Sequence, residues 1–409
     1  MKLRDLPKAA KVYAKLLPFR LSGRLPSRRD LWLFHGAFEG NTKYLFLWLS
    51  LHRPDIRAVW LSSSRQTTRR LRRHGLAAET FPSGKAIELV ARAGFHFVND
   101  YGKKIPFRSS RSFLVSLWHG VGIKNIGIHR EKNSGALYVD SIFRPNFLVA
   151  SSRRHAERFA NSFSLPLENC PILGTPRLDA AFDPMLKDKL ADLDGQSNPD
   201  PFRDLTYLYV PTLRAGNRPF LREALPDLPR LDAILRERGA TLYVKLHPKT
   251  LRLGQDGDHL QQLVHGLDRV RVWPEDVDLY GVLHSIDFLI TDYSSTFADF
   301  LFAKPAGLIL YPFDKARYEG ADRSFHVPYE LIEGERADDF DSLCRIVATG
   351  CGASIDNVSA CARTRREFWD DNAGISSPRI VAFFENLDPQ EQPGLAPFSA
   401  NRPYPAPGR

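Results

Sequence analysis

The hydrophobic positions of the chain form two successive series of short runs separated by amphipathic stretches. From residue 30 onward, β-branched and aromatic runs of strand length alternate with helical stretches such as Ser64–Arg73 and Gly84–Ala93. The predicted strands of this first series are Leu31–Phe34, Ile56–Leu61, Phe95–Val98, Phe113–Trp118 and Phe147–Ala150. Strands that alternate with helices are typical of a parallel sheet covered on both faces.

A second series follows the polar stretch Asp183–Asp204 and has amphipathic segments near 222–238 and 294–303. Its predicted strands are Leu205–Val210, Thr241–Leu246, Val270–Trp273, Phe288–Thr291 and Ala306–Leu310. Two such series predict an α/β protein with two Rossmann-type domains that face each other across a cleft.

The same pattern divides the chain into five segments. Residues 30–182 and 205–388 are the predicted domains, and residues 183–204 form a polar connector. Residues 389–409 contain six prolines in 21 residues and little apolar content, so this tail is predicted to be disordered. Residues 1–29 form a basic amphipathic segment.

Charge changes the interpretation of that first segment. The chain has a formal net charge of +10, and residues 1–29 hold nine Lys or Arg against one acid, Asp5. Lys8, Lys11 and Lys15 share one side of a helical wheel, opposite apolar residues. Such a helix either lies on an anionic membrane or packs as a solvated helix on the protein body. Without aromatic interleaving or a recognisable module, nucleic acid is the least favoured partner, and none is expected.

Composition favours a protein of the cytoplasm. Hydrophobic residues make up 43% and charged residues 25% of the chain, as in soluble globular proteins. No apolar run approaches the ~20 residues that span a bilayer, and no secretory signal is recognisable. Together with the basic segment, this predicts a cytoplasmic protein that associates peripherally with the inner face of the cell membrane.

Candidate chemistry begins at the end of the Phe113–Trp118 strand. His119 follows the strand directly, while Gly120 and Gly122 leave the backbone free to approach a ligand, and Lys124 adds a cation. A lone His is often structural, but a His at the carboxyl end of a parallel strand is also well placed to accept a proton from a hydroxyl.

The second domain carries two further strand ends of this kind. Lys245 and His247 lie two residues apart, on one side of an extended chain, and suit a diphosphate. Asp292 ends another strand, and Ser294 and Ser295 open the helix that follows, where free N–H groups attract anions. The alternatives are a salt-bridged strand end for Lys245 and a simple helix cap for Asp292 or a serine.

Weaker signals come from Thr212 and Arg214 after a strand, from Arg177 near the connector, and from Arg323 with His326. The chain contains no P-loop, no G-x-G-x-x-G, no H-E-x-x-H and no nucleophile elbow, and no D-x-D pair of the sort that holds a metal under a nucleotide diphosphate. We therefore expect no bound metal, and the charge of a nucleotide diphosphate would be met by Lys, Arg, His and a helix N-terminus.

In this order, the motifs resemble those of the CDP-glycerol glycerophosphotransferase family, which includes teichoic acid polymerases and primases. The matching segments are Gly40–Leu45, Trp118–Lys124, Gly174–Asp179, Pro211–Arg214, Lys245–Pro248 and Thr291–Ser295. The chain departs from the family at Val121–Gly122, where the family has Thr-Pro, at Leu213, where it has Trp, and at Arg323–Phe325, which only loosely echo its R-G-F-Y. These departures leave the acceptor open.

The resemblance implies a GT-B fold with the donor held mainly by the second domain. It makes His119 the base that deprotonates the acceptor hydroxyl, and His247 the group that stabilises the donor diphosphate or the leaving CMP. Donor phosphates would be held by Lys245, Thr212, Arg214, Asp292, Ser294, Ser295 and Arg323. Gly120 and Lys124 would belong to the acceptor side.

The implied reaction is transfer of glycerol phosphate, or a related polyol phosphate, from CDP-glycerol to a polymeric or lipid-linked acceptor, with release of CMP. The product would be a surface polymer such as a teichoic acid or capsule. No tightly bound cofactor is expected, and a divalent ion requirement stays open. Two alternatives are a sugar-nucleotide glycosyltransferase of the same fold and a catalytically silent binding module anchored to membrane.

Overall fold

The computed structural model describes residues 27–387 except for 101–104, 106–107, 110, 127–143, 196–201, 203, 254, 276, 323, 351–353 and 371–373. The predicted basic segment therefore lies outside the described residues as far as residue 26, as does all of the predicted tail.

Two six-stranded parallel sheets organise the chain. The strands are β1 (Arg28–His35), β2 (Arg57–Ser62), β3 (Ala78–Thr80), β4 (Ala93–Val98), β5 (Phe113–Ser116), β6 (Phe147–Leu148), β7 (Leu205–Val210), β8 (Ala240–Val244), β9 (Val270–Val272), β10 (Phe288–Thr291), β11 (Leu308–Leu310) and β12 (Glu335–Arg336).

The α-helices lie between and after these strands. They are α1 (Gly40–His52), α2 (Arg65–Arg73), α3 (Gly84–Arg92), α4 (Arg153–Phe163), α5 (Pro184–Leu193), α6 (Leu221–Ala224), α7 (Leu228–Glu237), α8 (Pro248–Leu253), α9 (Gln255–Val264), α10 (Leu279–Val282), α11 (Thr296–Ala303), α12 (Lys315–Ala321), α13 (Phe340–Thr349), α14 (Ile355–Trp369) and α15 (Ser377–Glu385).

Both sheets have the strand order of a doubly wound nucleotide-binding fold. The first runs β3-β2-β1-β4-β5-β6 and the second β12-β11-β10-β7-β8-β9, with every pair parallel. The strand order reverses between β1 and β4 and again between β7 and β10. Ligands bind beyond the carboxyl ends of the strands at such switch points. The predicted fold class, two Rossmann-type domains, is confirmed.

The long apolar runs predict strands because burial on both faces removes polar positions. The edge strands β3 and β12 are not predicted, because a strand of two or three residues is too short to show a hydrophobic pattern. The strand predicted over Phe113–Trp118 is shorter than expected. Trp118 has a φ of 55° and so lies in the turn beyond β5.

The last helix returns to the first sheet. The ring of Phe384 in α15 lies 5.7 Å from the rings of both Phe95 and Phe97. Asp179 accepts hydrogen bonds from the backbone N–H of Ser376 at 2.7 Å and of Ser377 at 2.8 Å, at the start of this helix. The end of the predicted 205–388 domain therefore packs in the core of the other half.

The connector predicted over 183–204 is also partly core. It includes α5, whose Leu186 and Leu190 are buried among the hydrophobic residues of the first half. The helix begins at an Asp183 cap, where the side chain accepts from the backbone N–H of Leu186 at 3.1 Å. The connection between the two halves thus begins with a helix that packs against the first half.

Candidate active site

The turn after β5 presents His119 to solvent. Trp118 has a φ of 55° and Gly120 a φ of 135°, so the chain turns sharply on both sides of His119. Asn41 holds this turn, because its Nδ2 donates to the carbonyl oxygens of Leu117 at 2.8 Å and Trp118 at 2.9 Å. The His119 side chain is 60% exposed and can meet a substrate.

The surroundings of His119 distinguish its two ring nitrogens. Its ring stacks on Trp118 with centroids 4.3 Å apart, and Nδ1 lies 3.4 Å from the carbonyl oxygen of Asn99. The Oδ1 of Asp100 is 3.9 Å from the same Nδ1. Since both neighbours are acceptors, Nδ1 carries the proton in this contact. The neutral ring then has its lone pair on Nε2, as a general base requires.

Arg177 also holds the turn that carries His119. Its Nη1 donates to the carbonyl oxygen of His119 at 2.6 Å, and its Nη2 to Oδ2 of Asp299 in α11 at 2.5 Å. The guanidinium packs over the ring of Tyr280 at 4.3 Å and its side chain is 4% exposed. Burial tends to lower the pKa of Arg177, but the charge of Asp299 outweighs it and the pKa is raised. A permanent cation therefore joins the His119 turn to the second half.

The loop that follows His119 makes a second contact with the second half. The backbone N–H of His326 donates to the carbonyl oxygen of Ile123 at 2.6 Å. Lys124 Nζ lies 5.5 Å from the ring centre of Tyr318. The structure thus brings Lys124 and the His326 segment together, whereas Arg323 lies outside the described residues.

At the second switch point, Arg214 is enclosed between two carboxylates. Its Nε and Nη2 donate to the two oxygens of Asp314, each at 2.9 Å, and Nη2 also lies 2.9 Å from Oδ2 of Asp292. Asp292 accepts from the backbone N–H of Thr212 at 2.8 Å. Arg214 and both carboxylates have fully buried side chains. In this conformation Arg214 and Asp292 hold the loops after β7 and β10 rather than face a phosphate.

The two serines before α11 have different environments. Ser294 Oγ accepts from the backbone N–H of Thr296 at 3.3 Å and lies 2.9 Å from Thr296 Oγ1, so it acts as a cap. Ser295 occupies the N-cap position, but its side chain makes no capping hydrogen bond. Both serines are partly exposed. The Ser295 hydroxyl and the positive end of α11 are therefore available to an anion, and the partly exposed Ser294 hydroxyl lies beside them.

Lys245 and His247 lie at the end of β8. Lys245 is partly buried, with Nζ 5.7 Å from the ring centre of Trp273, and burial lowers its pKa. His247 is exposed, and its Nδ1 accepts from the backbone N–H of Lys249 at 3.1 Å. Because Nδ1 accepts, the proton of a neutral His247 lies on Nε2, which can donate to a phosphate oxygen. The two histidines thus have opposite tautomers.

Sequence reasoning missed Lys43 and Asp278. Lys43 in α1 forms an ion pair with Asp278, Nζ to Oδ2 2.7 Å, and its side chain is only 4% exposed. The charge of Asp278 also acts on Lys245. Lys43 does belong to the Gly40–Leu45 tract, but no pattern indicates its partner in the other half.

The described residues show neither a metal-binding cluster nor a membrane-spanning helix. Within them, no cluster of three or more His, Cys, Asp or Glu side chains is arranged to hold a metal ion. In the same part of the chain, no helix is both long and apolar enough to cross a bilayer.

Comparison with known families gives a match over nearly the whole chain. Residues 18–386 match the family described as CDP-glycerol:poly(glycerophosphate) glycerophosphotransferase. The teichoic acid glycerol-phosphate transferase of Staphylococcus aureus is 24% identical over 338 residues, covering 76% of this chain and 81% of that protein. The teichoic acid ribitol-phosphate primase of Bacillus spizizenii is 24% identical over 292 residues, covering 69% and 72%.

The fold also matches a solved structure. The wall teichoic acid polymerase TagF superposes with a TM-score of 0.72 at 16% identity, covering 94% of this chain and 96% of the TagF chain. At this identity the likeness concerns the fold, and it agrees with the two facing domains.

Proposed function

This chain belongs to the CDP-glycerol:poly(glycerophosphate) glycerophosphotransferase family, and from that membership we propose that it transfers glycerol phosphate, or a related polyol phosphate, from CDP-glycerol to a hydroxyl of a growing surface polymer or lipid-linked acceptor. The acceptor oxygen attacks the β-phosphorus of the donor. The bond from that phosphorus to the bridging oxygen breaks, CMP leaves, and a phosphodiester and one proton are formed.

The observation that carries the proposed mechanism is that the Nδ1 atoms of two exposed histidines have opposite contacts, one with an acceptor and one with a donor. His119 Nδ1 faces the carbonyl oxygen of Asn99, so Nε2 is the basic nitrogen and takes the proton of the acceptor hydroxyl. His247 Nδ1 accepts from Lys249 N–H, so Nε2–H donates to the departing phosphate. One half thereby supplies a base and the other a donor, as an in-line displacement needs.

The donor phosphates bind at the second switch point. Lys245 supplies a cation at the end of β8, while the hydroxyls of Ser294 and Ser295 and the N-terminus of α11 supply hydrogen-bond donors. Burial lowers the pKa of Lys245, and a bound diphosphate would favour its charged form. Arg323, which the sequence also assigns to the donor, completes this group in the proposal.

Thr212, Arg214 and Asp292 act as positioning residues in this proposal. Asp292 accepts from the N–H of Thr212 and pairs with Arg214, so the loops after β7 and β10 keep one arrangement. A buried guanidinium between two carboxylates is held rigidly and costs a great deal to disturb. The donor site is therefore preorganised by groups that do not touch the donor.

On the acceptor side, Gly120 permits the turn that presents His119, and Lys124 supplies a cation near the attacking group. Lys124 lies in the loop that pairs with the His326 segment of the other half. An acceptor that carries phosphates would meet this cation as it enters the cleft.

The deciding experiment is a donor panel. Purified protein is given a glycerol-phosphate-primed acceptor and, in separate reactions, CDP-glycerol, CDP-ribitol, UDP-sugars and CMP-sugars, and nucleotide release and product size are measured. We expect CMP release with a CDP-polyol only. Turnover of a sugar nucleotide would overturn the proposal in favour of a glycosyltransferase, and donor binding without turnover would make the chain a binding module.

We further propose that residues 1–29 hold the enzyme on the anionic inner face of the cell membrane. The charge excess of nine cations over one acid supports this. Deletion of the segment should weaken binding to vesicles containing phosphatidylglycerol, most strongly at low salt. Equal binding of the deleted and full chains would refute the anchor.

A further inference from the structure

One flank of α2 carries a row of exposed arginines. The helix Arg65–Arg73 buries Thr68 and Leu71 against the first half, which leaves the other side to solvent. Steps of four and three residues along a helix place side chains on one flank. We call the exposed side chains on this flank the arginine stripe: Arg65, Arg69, Arg72 and Arg73.

The stripe is not neutralised by its neighbours. Arg65, Arg69 and Arg73 form no ion pair with any described residue. Arg72 pairs with Glu79, Nη2 to Oε1 2.8 Å, but Lys85 Nζ also lies 2.7 Å from that oxygen. Between residues 57 and 92 the chain has eight Lys or Arg against two Glu. The surface therefore has a strong positive potential.

A concavity adjoins the stripe at Arg72, toward the C-terminal end of α2. It has a volume of about 320 Å³ and is lined by the cations Arg57, Arg72 and Lys85, with Glu79 as its carboxylate and an apolar floor that includes Leu89. Three cations around one carboxylate leave a net positive site with room for a phosphate group.

The other end of the stripe, at Arg65, lies at the cleft. β2 ends at Ser62 and α2 begins at Arg65, so Arg65 is at the same edge of the sheet as His119, which follows β5. Three strand spacings separate β2 from β5, or ~14 Å. A chain that reaches His119 can thus extend over the edge of the sheet to α2.

We propose that the arginine stripe and the adjoining concavity bind the phosphates of the acceptor polymer, an inference that rests on the proposed function. The guanidinium fork matches phosphate oxygens, and the ~6 Å step between Arg65 and Arg69 is comparable to one glycerol-phosphate unit. A helix that lies in a membrane surface buries apolar side chains beside its cations. Yet no large hydrophobic side chain of α2 is exposed. Charge without an apolar anchor favours a hydrophilic polyanion.

The test compares two charge-matched variants. In one, Arg65, Arg69 and Arg73 are changed to Gln. In the control, Arg222, Arg271 and Arg345, exposed on the second half, are changed to Gln. Fluorescence anisotropy without donor measures binding of a labelled glycerol-phosphate oligomer longer than the ~14 Å of α2. Vesicle binding to phosphatidylglycerol–phosphatidylcholine and CMP release with a single-unit acceptor are measured beside it.

We expect the stripe variant to bind the oligomer roughly 10- to 100-fold more weakly, with a shallower salt dependence. The control should bind it as the unaltered protein does, and single-unit turnover should be unchanged in both. Equal oligomer affinity in the stripe variant, or a loss confined to vesicles, would overturn the inference. A different result would separate this inference from the proposed function. If the unaltered protein releases no CMP but binds the oligomer more tightly than the stripe variant does, the proposed function is wrong and the stripe is still a polyanion-binding surface.

Discussion

Lys43 of the first half and Asp278 of the second form an ion pair, with Nζ 2.7 Å from Oδ2. Burial tends to raise the pKa of Asp278, but Lys43 outweighs it and the pKa is lowered. Asp278 also caps α10 by accepting from the N–H of Tyr280 at 3.0 Å. The pair therefore fixes α1 of the first half against the start of α10 in the second half.

Breaking this pair should destabilise the protein. Lys43→Met leaves Asp278 largely buried without its cation, so we expect the free energy of unfolding to fall by about 2–4 kcal/mol. Urea denaturation of Lys43→Met, Asp278→Asn and the double variant measures it, and the double variant should lose less than the sum of the singles. The exposed pair Arg28–Asp30 is the control, and Asp30→Asn should cost under ~1 kcal/mol. Additive losses would refute the coupling.

Arg177→Lys should lower turnover more than donor binding. A lysine cannot donate to both the carbonyl oxygen of His119 and Asp299, so the turn that carries His119 would shift. We expect kcat to fall about 10- to 100-fold while KM for CDP-glycerol changes little. Steady-state kinetics separates the two constants. A rise in KM alone would assign Arg177 to the donor site instead.

Loss of His119, the proposed base, should nearly abolish the reaction. His119→Ala is expected to lower CMP release about 10²- to 10⁴-fold without a change in donor affinity. His265→Ala, at an exposed histidine on another face, should keep full activity. His247→Ala should weaken both donor binding and turnover. Unchanged release in His119→Ala would remove it from the mechanism.

A Cβ at Gly120 should disturb the turn for two reasons. Its φ of 135° disfavours an L-residue, and a Cβ there would lie 2.5 Å from Arg177 Nη2. A Cβ added at Gly75, whose φ is 75°, would meet no atom within 4 Å, so that position isolates the backbone cost, ~1–2 kcal/mol. We expect both alanine variants to melt earlier, but only Gly120→Ala to lose activity. Equal activity in both would contradict the contact.

Stability should decrease in mild acid because His155 is buried. Burial, aided by Arg158 and His119, lowers the pKa of His155 well below its usual range, and Nδ1 accepts from the N–H of Ser151 at 3.3 Å. Below about pH 6.5 the unfolded chain binds a proton that the folded one refuses. The free energy of unfolding then falls as pH drops, by up to ~1.4 kcal/mol per pH unit.

His155→Asn keeps an acceptor near Nδ1 and removes this titration. Its unfolding free energy should therefore depend less steeply on pH, and urea titrations between about pH 5 and 7 compare the slopes. Identical slopes in the variant and the unaltered protein would show that His155 does not contribute.

Much of the candidate site could be predicted because it lies at strand ends. His119, Lys245 and Asp292 each follow an apolar run, and parallel strands bring their carboxyl ends to one edge. Which of these groups reaches solvent could not be predicted. Arg214 resembles a phosphate ligand in the sequence, yet its side chain is fully buried between Asp292 and Asp314.

The five longer or more apolar strands of each sheet follow from the amino-acid sequence alone, since the runs that form them and the helical stretches between them are local patterns spread over a few residues. The way the halves meet depends on the folded chain. Lys43 and Asp278 are 235 positions apart, and α15 returns to the first sheet from far along the chain. Such contacts depend on which surfaces become complementary after both halves have packed, and no local period encodes that.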